Sequence, residues 1–298
     1  MLVRPFFRLP GLPMFRPAAA GVPVSTVAEA GPWPHNTVLP DHGDGGLYGL
    51  ARDLRNWLHD PAAGWMQAGI EAGSRETVLV LLIDGLGDGF LATHGGGSSL
   101  LAHRQRSLSS VFPSTTATAL TTLLTGLSPA QHGLNGWYIH DRRFGGIIAP
   151  LPLIVRGNGP IEALLLAPRL FPYPSMFRGS RRRTVMLSPA AIAFSRYSQR
   201  HARGARMRPY HGLDELQAGL IAEAQALRGR GGLVLAYCAE FDALSHAFGS
   251  HSEQAVAMFR QLDRLHARVL DALAGTGIRL VVRPIMVSSM HLRSRTSC

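Results

Sequence analysis

Thr77-Val-Leu-Val-Leu-Leu-Ile83, followed at once by Asp84-Gly85-Leu86-Gly87, decides the fold class. An unbroken apolar run of this length, without polar alternation, describes a strand covered on both faces, as in a sheet buried between layers of helices. The glycines after it force a turn and leave Asp84 at the strand's C-terminal end. Upstream, Leu47 to Leu58 has the periodicity of an amphipathic helix. Downstream, residues 108 to 111 read as a short strand, and Ser114-Thr-Thr116 opens a helix that Gly126 and Pro129 stop near Leu127. Thr184 to Leu187 and Leu233 to Tyr237 read as further strands, the second buried. Gly212 to Leu227 and Ser252 to Ala274 read as helices, the latter with Phe259, Leu262, Val269 and Leu273 on one stripe. Arg279 to Val282 is a last buried strand. The alternation predicts an α/β fold with a mainly parallel central sheet flanked by helices, and functional residues at the C-terminal strand ends. Residues 139 to 210, rich in Gly, Pro and Arg, give little beyond one strand.

The chain has 298 residues, 46% of them hydrophobic, enough for a substantial core. Its formal charge of +11 comes entirely from arginine, because there is no lysine. Apart from Arg181-Arg182-Arg183 and the stretch from Arg200 to Arg208, the arginines are scattered. A basic rim around an anionic small-molecule site fits this better than a specific nucleic-acid surface. Cys238 lies in an apolar strand and Cys298 near the end, so no disulfide framework is implied, and a reducing, cytoplasmic compartment fits. Residues 1 to 35 read as a disordered leader rich in proline and arginine, or as the product of a start codon assigned too far upstream. Pro10, Pro13 and Pro17 interrupt every apolar stretch that a signal peptide would need. No run is long enough to span a membrane.

Asp84, exposed at a sheet edge, could take a metal ion or simply make a turn with Gly85. The glycine spacing after it does not fit a dinucleotide loop, and its charge would repel a pyrophosphate. Thr116 opens a helix, where a phosphate would meet free backbone N–H groups, although Ser114 or Thr115 could merely cap that helix. Asp242 and His246, four apart, share one helix face after another strand. They could be metal ligands, suited to zinc, or an ordinary surface pair. Asp41-His42-Gly43 precedes the first core strand and reads as a loop. His94-Gly-Gly-Gly97 lacks the nucleophile elbow of an esterase, and a Walker A loop is impossible without lysine. His140, His201, His211, His251 and His266 have no motif context and are expected to be solvated or capping.

Three blocks together, VLLIDGLG (80–87), VFPSTTATALTTLLTGLSPAQHGLNGW (111–137) and AYCAEFDALSHAFG (236–249), resemble the type I phosphodiesterase/nucleotide pyrophosphatase family of the alkaline phosphatase superfamily. The resemblance covers residues 78 to 282. It implies a hydrolase of phosphodiester or pyrophosphate bonds using two divalent ions, zinc in that family, on a small phosphate ester or nucleotide substrate. Aligned on Thr125-Gly126-Leu127 and His132-Gly133, it puts the Thr nucleophile at Thr116, with Thr115 as runner-up. By the same resemblance Asp84 and Thr116 would bind one ion and Asp242 and His246 the other. Asn135 would hold a phosphoryl oxygen, although it stands two residues before the aligned position, Trp137. Other superfamily chemistries, on phosphomonoesters, sulfates or phosphonates, remain alternatives, as does a catalytically dead scaffold with a binding role.

The resemblance also implies Asp-His-Gly after the strand at 279–282, and a later His. Neither is present: the sequence continues Arg283-Pro-Ile-Met-Val287. Written in GC-rich codons (CGG CCG ATC ATG GTC) and read in the neighbouring frame, that stretch gives Ala-Asp-His-Gly. The lysine-free composition is what such coding favours. Residues 36 to 282 are therefore expected to form an alkaline-phosphatase-like domain, incomplete at its C-terminus. Residues 283 to 298 are expected to be an out-of-frame tail, leaving the truncated chain inactive.

Overall fold

The computed structural model describes residues 38–285, except 61, 68, 69, 74 and 162–164. The expected leader and most of the expected out-of-frame tail lie outside the described residues. Five strands form the central sheet: β1 (Thr77–Ile83), β2 (Arg183–Pro189), β3 (Arg206–Tyr210), β4 (Gly232–Cys238) and β5 (Arg279–Pro284). Their order is β5-β1-β4-β2-β3, and every neighbouring pair is parallel. The helices that position the site are α1 (Leu47–His59), α2 (Asp88–His94), α3 (Thr116–Thr125), α4 (Gly212–Leu227), α5 (Glu240–Phe248) and α6 (Glu253–Leu273).

The pleat sorts β1 between two cores. Val78, Val80 and Leu82 pack with residues of α1 and α3, whereas Leu79, Leu81 and Ile83 pack with residues of α4 and α6. Every residue of β1 and β4 is buried, as an unalternating apolar run requires. Each such Leu or Val contributes roughly 1.5–3 kcal/mol by leaving water. The stripe read on α6 faces the second core, with Phe259, Leu262, Val269 and Leu273 all buried.

Arginines from both clusters make contacts within the fold. Arg182 is buried, with its guanidinium 4.3 Å from the ring centroid of Trp57. It donates to the carbonyls of Trp57, Asp60 and Ala63 at 2.7, 3.2 and 3.1 Å, satisfying acceptors at and beyond the end of α1. Arg200 donates to the carbonyls of Phe171 and Tyr173, and Arg206 and Arg208 of β3 both grip Glu223 on α4.

Two expectations need correction. Residues 108–111 form no strand; Ser109 makes only an isolated bridge to Gly46, because a single paired residue gives no ladder. The last strand does not end at Val282, since Arg283 and Pro284 stay in register with Leu82 and Ile83. The illegible region contains a four-stranded antiparallel meander over Ile139–Asp141, Gly146–Ala149, Ile154–Val155 and Gly159–Pro160. Among the described residues no helix is long and apolar enough to cross a membrane.

Candidate active site

The parallel sheet brings its C-terminal strand ends to one edge, and the Asp84 amide donates to the Cys238 carbonyl at 2.9 Å to lock β1 and β4 there. Beyond β1 the chain turns through Gly85, whose φ of +76° disfavours a side chain. A Cβ at that position would also stand 2.9 Å from Oδ1 of Asp242, so the third residue of α5 lies directly against the Asp84-Gly85 turn. Asp242 in turn stands 3.5 Å from Nε2 of His246, one helical turn on.

Asp84 is 1% exposed. The Tyr237 hydroxyl donates to its Oδ2 at 2.7 Å, while Oδ1 is buried without a partner. Burial raises the carboxyl's pKa to about 6 and the charge of Asp242 adds to the rise; hydrogen bonds from Tyr237, Thr116 and the Gly85 amide oppose it. Burial also raises the pKa of Asp242, against the pull of His246. Two crowded carboxylates, one with an orphaned oxygen, form a pocket of negative charge that a cation would relieve.

Thr116 is the first residue of α3 and is largely buried, with its hydroxyl on Asp84. Thr115 has the other role, because its hydroxyl accepts from the Thr118 amide at 3.3 Å and caps the helix. At the far end of α3, Gly126 takes φ +66° under the side chain of Arg55, which accounts for the glycine of Thr-Gly-Leu. His132 accepts from the Leu134 amide at Nδ1, so its Nε2–H donates to Thr122 at 3.0 Å. It is a buried neutral strut with a pKa lowered by burial to about 4.

The structure thus gathers Asp84, Thr116, Asp242 and His246 at one place. The contacts joining them do not extend to Asn135, exposed in the irregular stretch between Gly133 and the bend that begins at Gly136. Among the described residues no cluster of three or more His, Cys, Asp or Glu is arranged to hold a metal ion. The donors present can begin a coordination shell but do not close one. Asp41-His42-Gly43 is the loop that was expected, with the Asp41 carboxylate accepting from the Gly43 amide. His201 and His266 correct the expectation of solvated histidines: they are 1% and 4% exposed, because aromatic and helical packing encloses them. Sequence reasoning also missed Tyr237, whose place beside Asp84 follows from the register of β4 on β1 and had no motif of its own.

Residues 78–149 match the family model described as type I phosphodiesterase/nucleotide pyrophosphatase. Over that segment the chain resembles that family. The matched segment contains Asp84, Thr116 and Asn135, while Asp242 and His246 follow it. Among solved structures it resembles murine ectonucleotide pyrophosphatase/phosphodiesterase 5, inactive and in complex with AMP, at 15% identity and a TM-score of 0.52, covering 70% of this chain and 56% of that one. A second structure of that murine protein gives 16% identity and a TM-score of 0.51, covering 69% and 55%. At such identities the likeness is one of fold. The chain spans little more than half the length of these proteins. No curated protein matches it.

Proposed function

We propose that this site is that of a hydrolase of phosphodiester or pyrophosphate bonds with Thr116 as nucleophile. The observation that carries the reading is the Thr116 hydroxyl set on the buried Asp84 carboxylate at the N-terminus of α3, with Asp242 alongside. Asp84 and Thr116 would hold one divalent ion, and Asp242 and His246 a second, zinc by the donor set. Such ions supply charge neutralisation and lower the pKa of a bound hydroxyl. The chain's own residues do the rest. Asp84 fixes the Thr116 hydroxyl, the amides of the first turn of α3 receive the phosphoryl oxygens, and Thr116 Oγ1 displaces the leaving alcohol in line. Water then hydrolyses the phosphothreonine. A nucleotide substrate is favoured by the fold shared with a protein that binds AMP.

We also propose that the reading frame is lost at codon 283. Arg283 has a buried Nε without a partner and stands near Arg106, whose charge further disfavours it. One base added before codon 283 would put Ser, Pro, Thr or Ala there, small and uncharged in every case. The same addition replaces Ile285, the residue after the Pro284–Ile83 pair that ends the ladder, by Asp and the next residue by His. The chain as it stands would then be nearly inactive and hold zinc weakly.

The test is to express both frames of the genomic sequence and assay an aryl phosphodiester with added zinc. The restored frame should hydrolyse it and bind two zinc ions. In that protein Thr116→Ala should abolish turnover while keeping most of the zinc, and Asp242→Asn should lose zinc. Full activity in Thr116→Ala would refute the nucleophile; equal activity in both frames would refute the frame loss.

A further inference from the structure

His94 closes α2, and His251 lies in the turn between α5 and α6. Nε2 of His94 stands 2.9 Å from Nδ1 of His251, at the surface. Phe90 holds both rings, its centroid 4.5 Å from that of His94 and 5.7 Å from that of His251. Phe90 is itself buried against Phe241 and Phe259, so the two imidazoles rest on a fixed apolar anchor. Their facing nitrogens therefore need little ordering to act together.

Between neutral rings the contact uses one N–H and one lone pair. If the first ring carries its proton on the outer nitrogen instead, two lone pairs face each other and no net proton is lost. With metal–nitrogen bonds of about 2 Å, two ligands stand roughly 2.8 Å apart at a right angle and roughly 3.3 Å apart at a tetrahedral one. The observed 2.9 Å fits the right-angled arrangement, which Cu2+ and Ni2+ prefer. We propose that His94 and His251 form a two-imidazole site for a tetragonal divalent transition metal, completed by water. None of its ligands belongs to the candidate active site. A metal there would join the helix that follows the Asp84 turn to the connection that follows the His246 helix.

The probe is one equivalent of Cu2+ added to the full chain, read by electron paramagnetic resonance. The expected spectrum shows two equatorial imidazole nitrogens. In His94→Gln and in His251→Gln it should show one, with affinity at least about tenfold lower as the chelate is lost. His246→Gln should leave the two-nitrogen spectrum intact, which separates this site from the catalytic one. A spectrum unchanged in either His94→Gln or His251→Gln overturns the proposal, as does its loss in His246→Gln. Thermal unfolding with Ni2+ checks the same point without copper: the metal should raise Tm in the parent chain and not in the two variants. A rise of equal size in those variants counts against the site.

Discussion

Asp84 places a charged oxygen in the core without a partner, and stability should register this as a pH dependence. Its carboxyl titrates near 6 in the fold against an ordinary 3.8. Between those values only the folded state keeps the proton, so the metal-free protein loses stability as pH rises through that window, by roughly 3 kcal/mol in all. Below it both states are protonated and the cost vanishes. Asp84→Asn should flatten the slope and raise Tm at pH 7 in metal-free buffer, while weakening zinc binding. A variant less stable than the parent at pH 7 would show that Asp84 is a structural group instead. The motif alignment favours Thr116 over Thr115 as the proposed nucleophile. Only the cap bond from Thr118 to Thr115 gives the second hydroxyl its own work.

At the scale of elements, legibility followed burial. β1 and α4 have the bounds read from the sequence, because an unbroken apolar run and flanking glycines admit few alternatives. β3, Arg-Met-Arg-Pro-Tyr, escaped notice: it is an edge strand, where a proline is tolerated and arginines reach out to Glu223. Arg182 hid in a basic run that looked like surface. Its fan of three carbonyls and its face on Trp57 need a planar, forked cation, which an ammonium does not replace. Arg182→Lys should destabilise the protein by about 2 kcal/mol or more, measured by urea unfolding, through carbonyls left unpaired at the end of α1. A change below about 0.5 kcal/mol would mean that water replaces the clamp.

For the whole molecule, the sheet order was not legible, because a strand run does not name its neighbours. The proposed loss of frame at codon 283 rests on the resemblance, and the buried, unpartnered Nε of Arg283 supports it. Arg283→Ala in the chain as given should therefore stabilise it, by about 1–3 kcal/mol, where most large-to-small changes in a strand would do the reverse. Loss of stability on that change would mean the arginine belongs there. The order β5-β1-β4-β2-β3 also governs when the protein can fold during its synthesis. β1 leaves the ribosome early, yet both of its neighbours, β4 and β5, are made last. At 5–20 residues per second, the 149 residues from Ile83 to Gly232 take roughly 7–30 s, and throughout that time an apolar heptad has no strand to pair with. Nascent chains arrested before β4 emerges should be open to protease at β1 and bound by chaperones. Chains arrested after β5 has emerged should not.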